Sequence, residues 1–260
     1  MKLATWNINS LNVRLPQLLD WLQANPVDAI GLQELKLTDD KFPFMELEAA
    51  GYQAVCHGQK TYNGVAILSR HPMQDVVRNI PGLDDEQARV IAATLQTPQG
   101  PVRLINCYFV NGQAPDSDKF AYKLRWLAAL EAFVQAEMAQ HPQLALVGDF
   151  NVAPEDRDSY DPEGLRGTIH HTPEERAHFQ RLLDLGLTDA FRMFEQEDKL
   201  FSWWDYRMFG FKRNAGLRID HIMLSPELAK LCESCHIDRV PRTWEQPSDH
   251  TPVVAALRRA

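Results

Sequence analysis

The apolar positions of this chain fall into short runs and periodic stripes that divide it into alternating strands and helices. Residues 3–8 read as a strand, residues 14–24 as an amphipathic helix with Leu15, Leu18, Leu19 and Leu22 on one stripe, and residues 28–33 as a second buried strand. This is a β-α-β start. Residues 52–56 and 65–69 read as strands joined by a polar loop carrying Asn63-Gly64, and residues 90–95 and 102–108 follow as two more. From 118 to 140, Phe120, Leu124, Leu127, Leu130, Val134 and Met138 recur at helical spacing and predict a core-facing stripe. The second half repeats the logic. A strand from Leu144 leads into a polar loop that runs to Thr172, then a helix over 174–185 and strands over 201–206, 218–224 and 253–257. Pro16, Pro43, Pro154, Pro173 and Pro226 fall at expected element starts or turns, where a missing N–H costs least. No Gly/Ser linker separates the halves, so residues 1–260 are expected to form one domain, a mixed α/β sandwich of two sheets with outer helices.

Composition narrows the class. With 260 residues, 45% of them hydrophobic and 24% charged, the chain has ample length for a large core and reads as a globular protein. The start Met1-Lys2-Leu3-Ala4-Thr5-Trp6-Asn7 turns polar too soon for a signal peptide, and no run approaches the roughly 20 apolar residues of a membrane span. A cytoplasmic protein without membrane contact is the expectation. Cys56, Cys107, Cys232 and Cys235 sit in or beside apolar segments and read as reduced thiols; the lone Cys232-x-x-Cys235 has no second pair to complete a zinc site. A formal net charge of -8 argues against a protein that coats nucleic acid non-specifically, while leaving room for a local basic surface. Carboxylates gathered around a divalent ion would account for part of the excess.

Candidate chemistry collects where apolar runs end. Leu144-Ala145-Leu146-Val147-Gly148 finishes in Asp149-Phe150-Asn151; on a strand, Asp149 and Asn151 would share one face while Phe150 points back into the core. The pattern recurs at Asn7 and Asn9, at Glu34, at Asp220-His221 and at Ser248-Asp249-His250. Singly, each has an ordinary reading as a turn, cap or surface ion pair, such as Glu34 with Lys36. Together they are harder to dismiss, because burying several carboxylates near one another is costly unless a cation or proton compensates them. Asp249 and His250 would face opposite ways on a regular strand, so both enter one site only if Pro247-Ser248 turns the chain. No nucleophile elbow and no phosphate-cradling G-x-x-x-x-G-K-[ST] loop occurs. Oxygen and amide groups instead suit magnesium, which keeps several waters and completes its shell with substrate phosphate.

At this point the segments Thr5-Trp6-Asn7-Ile8-Asn9, Leu32-Gln33-Glu34, His57-Gly58-Gln59-Lys60, Asn63-Gly64-Val65-Ala66, Gly148-Asp149-Phe150-Asn151, Ser202-Trp203-Trp204-Asp205-Tyr206-Arg207, Gly216-Leu217-Arg218-Ile219-Asp220 and Pro247-Ser248-Asp249-His250 carry a resemblance. In order and spacing the chain resembles the exonuclease III family of AP endonucleases, within the endonuclease/exonuclease/phosphatase superfamily. The resemblance implies a DNase I-like, four-layer α/β sandwich with the site at one edge of two packed mixed sheets.

It also implies a magnesium cofactor, with manganese as a substitute. Asn7 and Glu34 would lie at the metal, Asp249 nearby, and Asp149 and Asn151 at a second metal position. Asp149 would orient and deprotonate the attacking water, Asn151 would donate to the phosphate, and Tyr108 would contact it. His250, oriented by Asp220, would stabilise the developing charge. Lys60, Asn111 and Arg207 are expected DNA contacts, and Trp203, Leu217 and Ile219 the lining of a small apolar pocket for a baseless deoxyribose.

Between 201 and 218, Trp203, Trp204, Tyr206, Phe209 and Phe211 interleave with Arg207, Lys212, Arg213 and Arg218 against Asp205, a local charge of 4 - 1 = +3 that suits a distorted DNA backbone. Trp204 is read as a core residue of this hairpin. The expected partner is double-stranded DNA with abasic sites or 3′ ends, bound by a monomer. The expected activity is cleavage 5′ to abasic sites together with 3′-5′ exonuclease and 3′-phosphodiesterase action. Three alternatives stay open: a predominantly 3′-exonucleolytic enzyme, a phosphatase acting on a small phosphoester such as an inositol phosphate, and a non-catalytic DNA-binding module. The loop over 156–172, with Gly164, Gly167 and His170-His171, would set the balance between endonuclease and exonuclease activity.

Overall fold

The computed structural model describes residues 1–259. In chain order its strands are β1 (Lys2–Asn7), β2 (Ala29–Gln33), β3 (Gln53–His57), β4 (Val65–Ser69), β5 (Met73–Arg78), β6 (Val90–Thr97) and β7 (Gly100–Tyr108). They continue as β8 (Leu144–Asp149), β9 (Thr188–Asp189), β10 (Trp203–Trp204), β11 (Gly216–Leu217), β12 (Asp220–Leu224), β13 (Cys232–Ile237) and β14 (Val253–Leu257). The helices are α1 (Leu11–Ala24), α2 (Phe44–Ala49), α3 (Asp118–Gln140), α4 (Pro173–Asp184) and α5 (Pro226–Ala229).

Two six-stranded mixed sheets pack face to face, ordered β13-β14-β1-β2-β4-β3 and β5-β6-β7-β8-β12-β9. Alternation along buried strands builds three apolar layers from one pattern. On β4, Val65 and Ile67 join Leu3, Ile91, Val147 and Ile222 between the sheets, whereas Ala66 and Leu68 face outward with Trp6, Leu18 and Trp21 under α1. On the opposite side Ile105, Leu146, Phe150 and Met223 pack against Trp126 and Leu130 of α3 and Phe179 of α4. The result is the expected four-layer sandwich.

Each sheet contains one parallel pair, β1 with β2 and β7 with β8, and each pair is connected through a helix. Parallel strands require such a crossover, and ligand sites form beyond the carboxyl ends of the strands. Here the two carboxyl edges meet, so Asn7 and Glu34 from one sheet face Tyr108 and Asp149 from the other. Gly148 makes this possible on β8: it has φ +152°, and a Cβ there would come within 1.9 Å of the Cys107 carbonyl oxygen on β7.

Most expected elements fall within a few residues of the observed ones, while the short α2, β9, β11 and α5 have no expected counterpart. The first helix starts at Leu11, so Pro16 lies inside it; that ring removes the hydrogen bond otherwise donated to the Asn12 carbonyl. The strand expected over 201–206 is only the two-residue β10, paired with Leu217 and Gly216. β5 and β13 went unread because exposed polar residues interrupt both, and β13 carries the Cys232-x-x-Cys235 run, whose thiols are unbonded. Among the described residues no helix is long and apolar enough to cross a membrane.

Candidate active site

The strand-end polar residues converge, through backbone turns rather than strand alternation. Glu34 follows β2 at φ +53°, Asn9 follows β1 at φ +43°, and Asn151 follows β8 at φ +49°. These left-handed residues redirect the chain as it leaves each strand, a conformation that costs roughly 1–2 kcal/mol per non-glycine residue and persists where surrounding contacts hold it. Asn151 therefore reaches the site by a turn, in which its N–H donates to Asp149 Oδ1 at 3.0 Å, and not as the i+2 residue of a straight strand. Phe150 does point inward, stacked on Phe109 at 4.2 Å.

Asn7 is fully buried at the centre. Its Nδ2 donates to Glu34 Oε2 at 2.7 Å and to Asp149 Oδ2 at 2.9 Å, while its Oδ1 accepts from the Asn9 N–H at 3.0 Å. On the other side of Asp149, His250 Nε2 lies 3.5 Å from Oδ2, and His250 Nδ1 meets Asp220 Oδ2 at 2.8 Å. Asp220 is held in turn, its N–H donating to Ser202 Oγ at 3.1 Å, and β12 sets it directly opposite Asp149. His250 stands in the loop before β14, as the Pro247-Ser248 turn predicts; Ser248 Oγ donates to the Asn7 carbonyl and accepts the His250 N–H.

These contacts set the protonation states. Burial raises the Asp149 carboxyl, helped by the nearby charges of Asp220 and Glu34 and opposed by His250 and Asn7, up to about 7. For His250 burial alone would lower the imidazolium, but the charges of Asp220 and Asp149 outweigh it and hold the value well above an ordinary histidine. The cation therefore has one N–H anchored on Asp220 and the other directed at Asp149. Burial, with Glu34 and Asp149 behind it, pushes the Tyr108 phenol well above its ordinary value, so it stays a donor. Arg89 lies over the Tyr108 ring, 4.9 Å from its centroid, and donates to the Tyr108 carbonyl.

Glu34, Asp149 and His250 offer ligand atoms that all lie within 4.8 Å of one another. Two carboxylates held this close, one with a raised pKa, fit a hard divalent cation that would offset their repulsion. Asn7 turns its amide nitrogen toward both and its oxygen toward the Asn9 N–H, so it braces the two carboxylates as a donor. Asp249 does not join this group. Its oxygens accept from Asn9 Nδ2 at 3.2 Å and Trp203 Nε1 at 3.1 Å, so it braces the Trp203 loop. Asn151 directs Nδ2 to the Phe109 carbonyl at 2.8 Å, leaving its second amide hydrogen for a ligand, and exposed Asn111 stands next to it.

The expected DNA-facing residues divide. Lys60 lies at a cleft of about 310 Å³ with Lys36 and Lys41, a local concentration of positive charge. A cavity of about 530 Å³ on the other side is lined by Asn63, Arg89, Asn111 and Lys119. Arg207 is on the surface but held by Asp205 at 2.8 Å. Arg218, counted above among the basic residues of the loop, is instead buried between Asp158 at 2.7 Å and Asp189 at 2.8 Å; losing it reduces the exposed charge of that window to +2. Trp204 is a core residue, fully buried and edge-on to Phe211.

The three residues expected to line a sugar pocket, Trp203, Leu217 and Ile219, are brought together. Leu217 and Ile219 are 3% and 2% exposed and pack with Ala153, Leu165 and Trp203 into one small cluster. Sequence reasoning missed Arg89, Lys123 and Ser202 as parts of this site, and gave His170 only a place in a variable loop. None ends an apolar run, and their roles depend on distant partners.

The geometry is matched by comparison with known proteins. Residues 4–250 match the Endonuclease/Exonuclease/phosphatase family. The chain is 39% identical to exodeoxyribonuclease III of Haemophilus influenzae over 99% of its own length and 100% of that protein. A solved structure of the 3′ phosphatase NExo from Neisseria bound to a product DNA hairpin superposes with a TM-score of 0.96 at 52% identity, covering 99% of each chain. An AP endonuclease from Archaeoglobus fulgidus superposes with a TM-score of 0.94 at 34% identity, again over 99% of each. With a convergent acid, amide and imidazole set at the meeting edge of two sheets, the chain belongs to the endonuclease/exonuclease/phosphatase family, as a phosphodiester hydrolase of the exonuclease III and AP endonuclease type.

Proposed function

We propose that this protein is a magnesium-dependent DNA repair nuclease that works mainly at 3′ ends of duplex DNA, removing nucleotides and blocking phosphates. The observation that carries this reading is a complete hydrolytic set in a chain 52% identical, over 99% of each chain, to a 3′ phosphatase bound to product DNA. Asp149, Asn7, Glu34, Asp220 and His250 stand in mutual contact, and Leu217 and Ile219 pack beside them with partly buried Leu165 and Trp203. The 52% likeness to a 3′ phosphatase, against 34% to an AP endonuclease, supports the same choice. Cleavage at internal abasic sites is the second reading, favoured by the half-exposed Trp203 at the edge of that cluster.

Hydrolysis of a phosphate ester needs a positioned nucleophile, a base, and donors around the phosphoryl oxygens. Asp149 takes a proton from water held beside Asn7 and the second Asn151 amide hydrogen. His250, kept cationic and oriented by Asp220, donates its Nε2–H to a phosphoryl oxygen, and protonated Tyr108 supplies another donor. Glu34 and Asp149 would hold a divalent cation, which would supply Lewis-acid stabilisation of charge on the phosphoryl group.

Three duplexes test the proposal, carrying a recessed 3′-hydroxyl, a 3′-phosphate and an internal abasic analogue. The expected result with magnesium is processing of both 3′ ends at least about tenfold faster than internal cleavage, the order of one small difference in transition-state binding. Faster internal cleavage would replace this reading by the AP endonuclease one. Turnover of a soluble inositol phosphate without DNA cleavage would overturn both.

A further inference from the structure

Beneath the site lies a buried cation that the hydrolytic steps above do not use. Lys123, in the second turn of α3, is 0% exposed. Its Nζ donates to the Asn151 carbonyl at 2.8 Å and the Asn111 carbonyl at 3.2 Å, and forms an ion pair with fully buried Glu175. The other Glu175 oxygen accepts from the Thr172 N–H and Oγ1, completing the capping box that starts α4. His170 Nδ1 also donates to the Asn151 carbonyl at 2.7 Å. The second turn of α3 and the first turn of α4 thus meet under Asn111 and Asn151.

Burying an ammonium is expensive unless its hydrogen bonds and charge are met, and an apolar pair of similar size would often serve stability as well or better. A lysine here needs a reason beyond packing. Asn151 is left-handed, its side chain spans the Phe109 carbonyl and Asn111, and its carbonyl is gripped by Lys123 and His170. The geometry points to Lys123, with Glu175 as its counter-ion, as a positioning residue that fixes Asn111 and Asn151 for transition-state contact with the phosphate. The inference rests on the reading of Asn151 as a phosphate-facing donor in the proposed hydrolysis.

The test is a mutant cycle on 3′-phosphorylated duplex DNA. Lys123→Met with Glu175→Gln removes both charges and keeps the acceptor that caps α4. It is expected to lower kcat by at least about tenfold with KM changed less than threefold, the signature of a contact made in the transition state. In an Asn111→Ala/Asn151→Ala background the same pair should cost less than threefold, because the groups it positions are gone. Equal losses in both backgrounds, or an unchanged kcat, would overturn the assignment. A crystal structure of the double variant gives a readout independent of activity. Asn151 should have left its left-handed conformation, and an unmoved Asn151 would refute the inference. Failure of the wild-type protein to cleave DNA would instead refute the functional reading.

Discussion

The floor and the wall of this site are built by different means. The floor, Asn7, Glu34, Tyr108, Asp149, Asp220 and His250, consists of side chains at or just beyond strand ends, carried by the two packed sheets. The wall, from 153 to 172 and 203 to 217, has almost no regular structure and is held by specific ties. Arg218 joins Asp158 in one loop to Asp189 on β9, and Asp249 holds Trp203. On the proposed reading, the hydrolytic chemistry resides in the floor and the choice among DNA ends and lesions in the wall. Changes to the floor should therefore abolish turnover with little change in affinity, whereas changes to the wall should alter stability and substrate preference.

The largest expected effect is Asp149→Ala, which removes the proposed base and one metal-binding carboxylate. Single-turnover cleavage should fall at least about 10³-fold, with DNA affinity within threefold, since base catalysis alone contributes 10²–10⁴. Next, Asp220→Asn should lower kcat about 10²-fold, because the imidazole loses the charge that keeps it cationic and oriented. A pH profile separates this from misfolding: the variant's activity should decline at a lower pH than that of the parent. For the wall, Arg218→Met leaves buried Asp189 without its ion pair and Asp158 with Arg192 alone, and should destabilise the fold by about 3 kcal/mol, measured by urea unfolding. An unchanged midpoint would show that the ties holding the wall are dispensable. Arg207→Ala, at an exposed ion pair, should move DNA affinity less than threefold and leave stability unaltered.

Protonation gives a further way to separate the regions. Asp149 and His250 both have folded pKa values above their unfolded ones, so the native floor binds protons more tightly than the unfolded chain. Metal-free stability should therefore fall as pH rises from about 5 to about 8. Asp158 and Asp189 behave oppositely: burial would raise them, but Arg218 outweighs it and holds both low. Their contribution is present above the ordinary aspartate value and lost only in stronger acid. Melting temperatures without metal across pH 5–8 should decline for the parent and decline less for Asp149→Asn. Equal slopes would remove Asp149 from this account.

The same division explains how much could be read from sequence. The floor was legible because each member ends or follows an apolar run, and such runs become strands whose ends a mixed sandwich brings to one edge. Even there, local geometry was misread at Asn151, where a left-handed turn, invisible to strand periodicity, does the aiming. Sequence adjacency of Asp249 to His250 does not show that its carboxylate accepts from Trp203 and Asn9. The wall was scarcely legible. Arg218 looks like any basic residue in an aromatic loop until Asp158 and Asp189, sixty and twenty-nine residues away, are found against it. Lys123 likewise sits one turn from ordinary surface lysines, and only the meeting of α3 and α4 shows it buried.

The most direct test of the central claim, that this floor is a divalent-metal-dependent phosphoester hydrolase acting on DNA 3′ ends, is phosphate release from a 3′-phosphorylated duplex. The account predicts steady release with magnesium, arrest on adding excess EDTA, and recovery when magnesium is restored in excess of the chelator. Release that continues undiminished in EDTA, or none at any magnesium concentration, would contradict it.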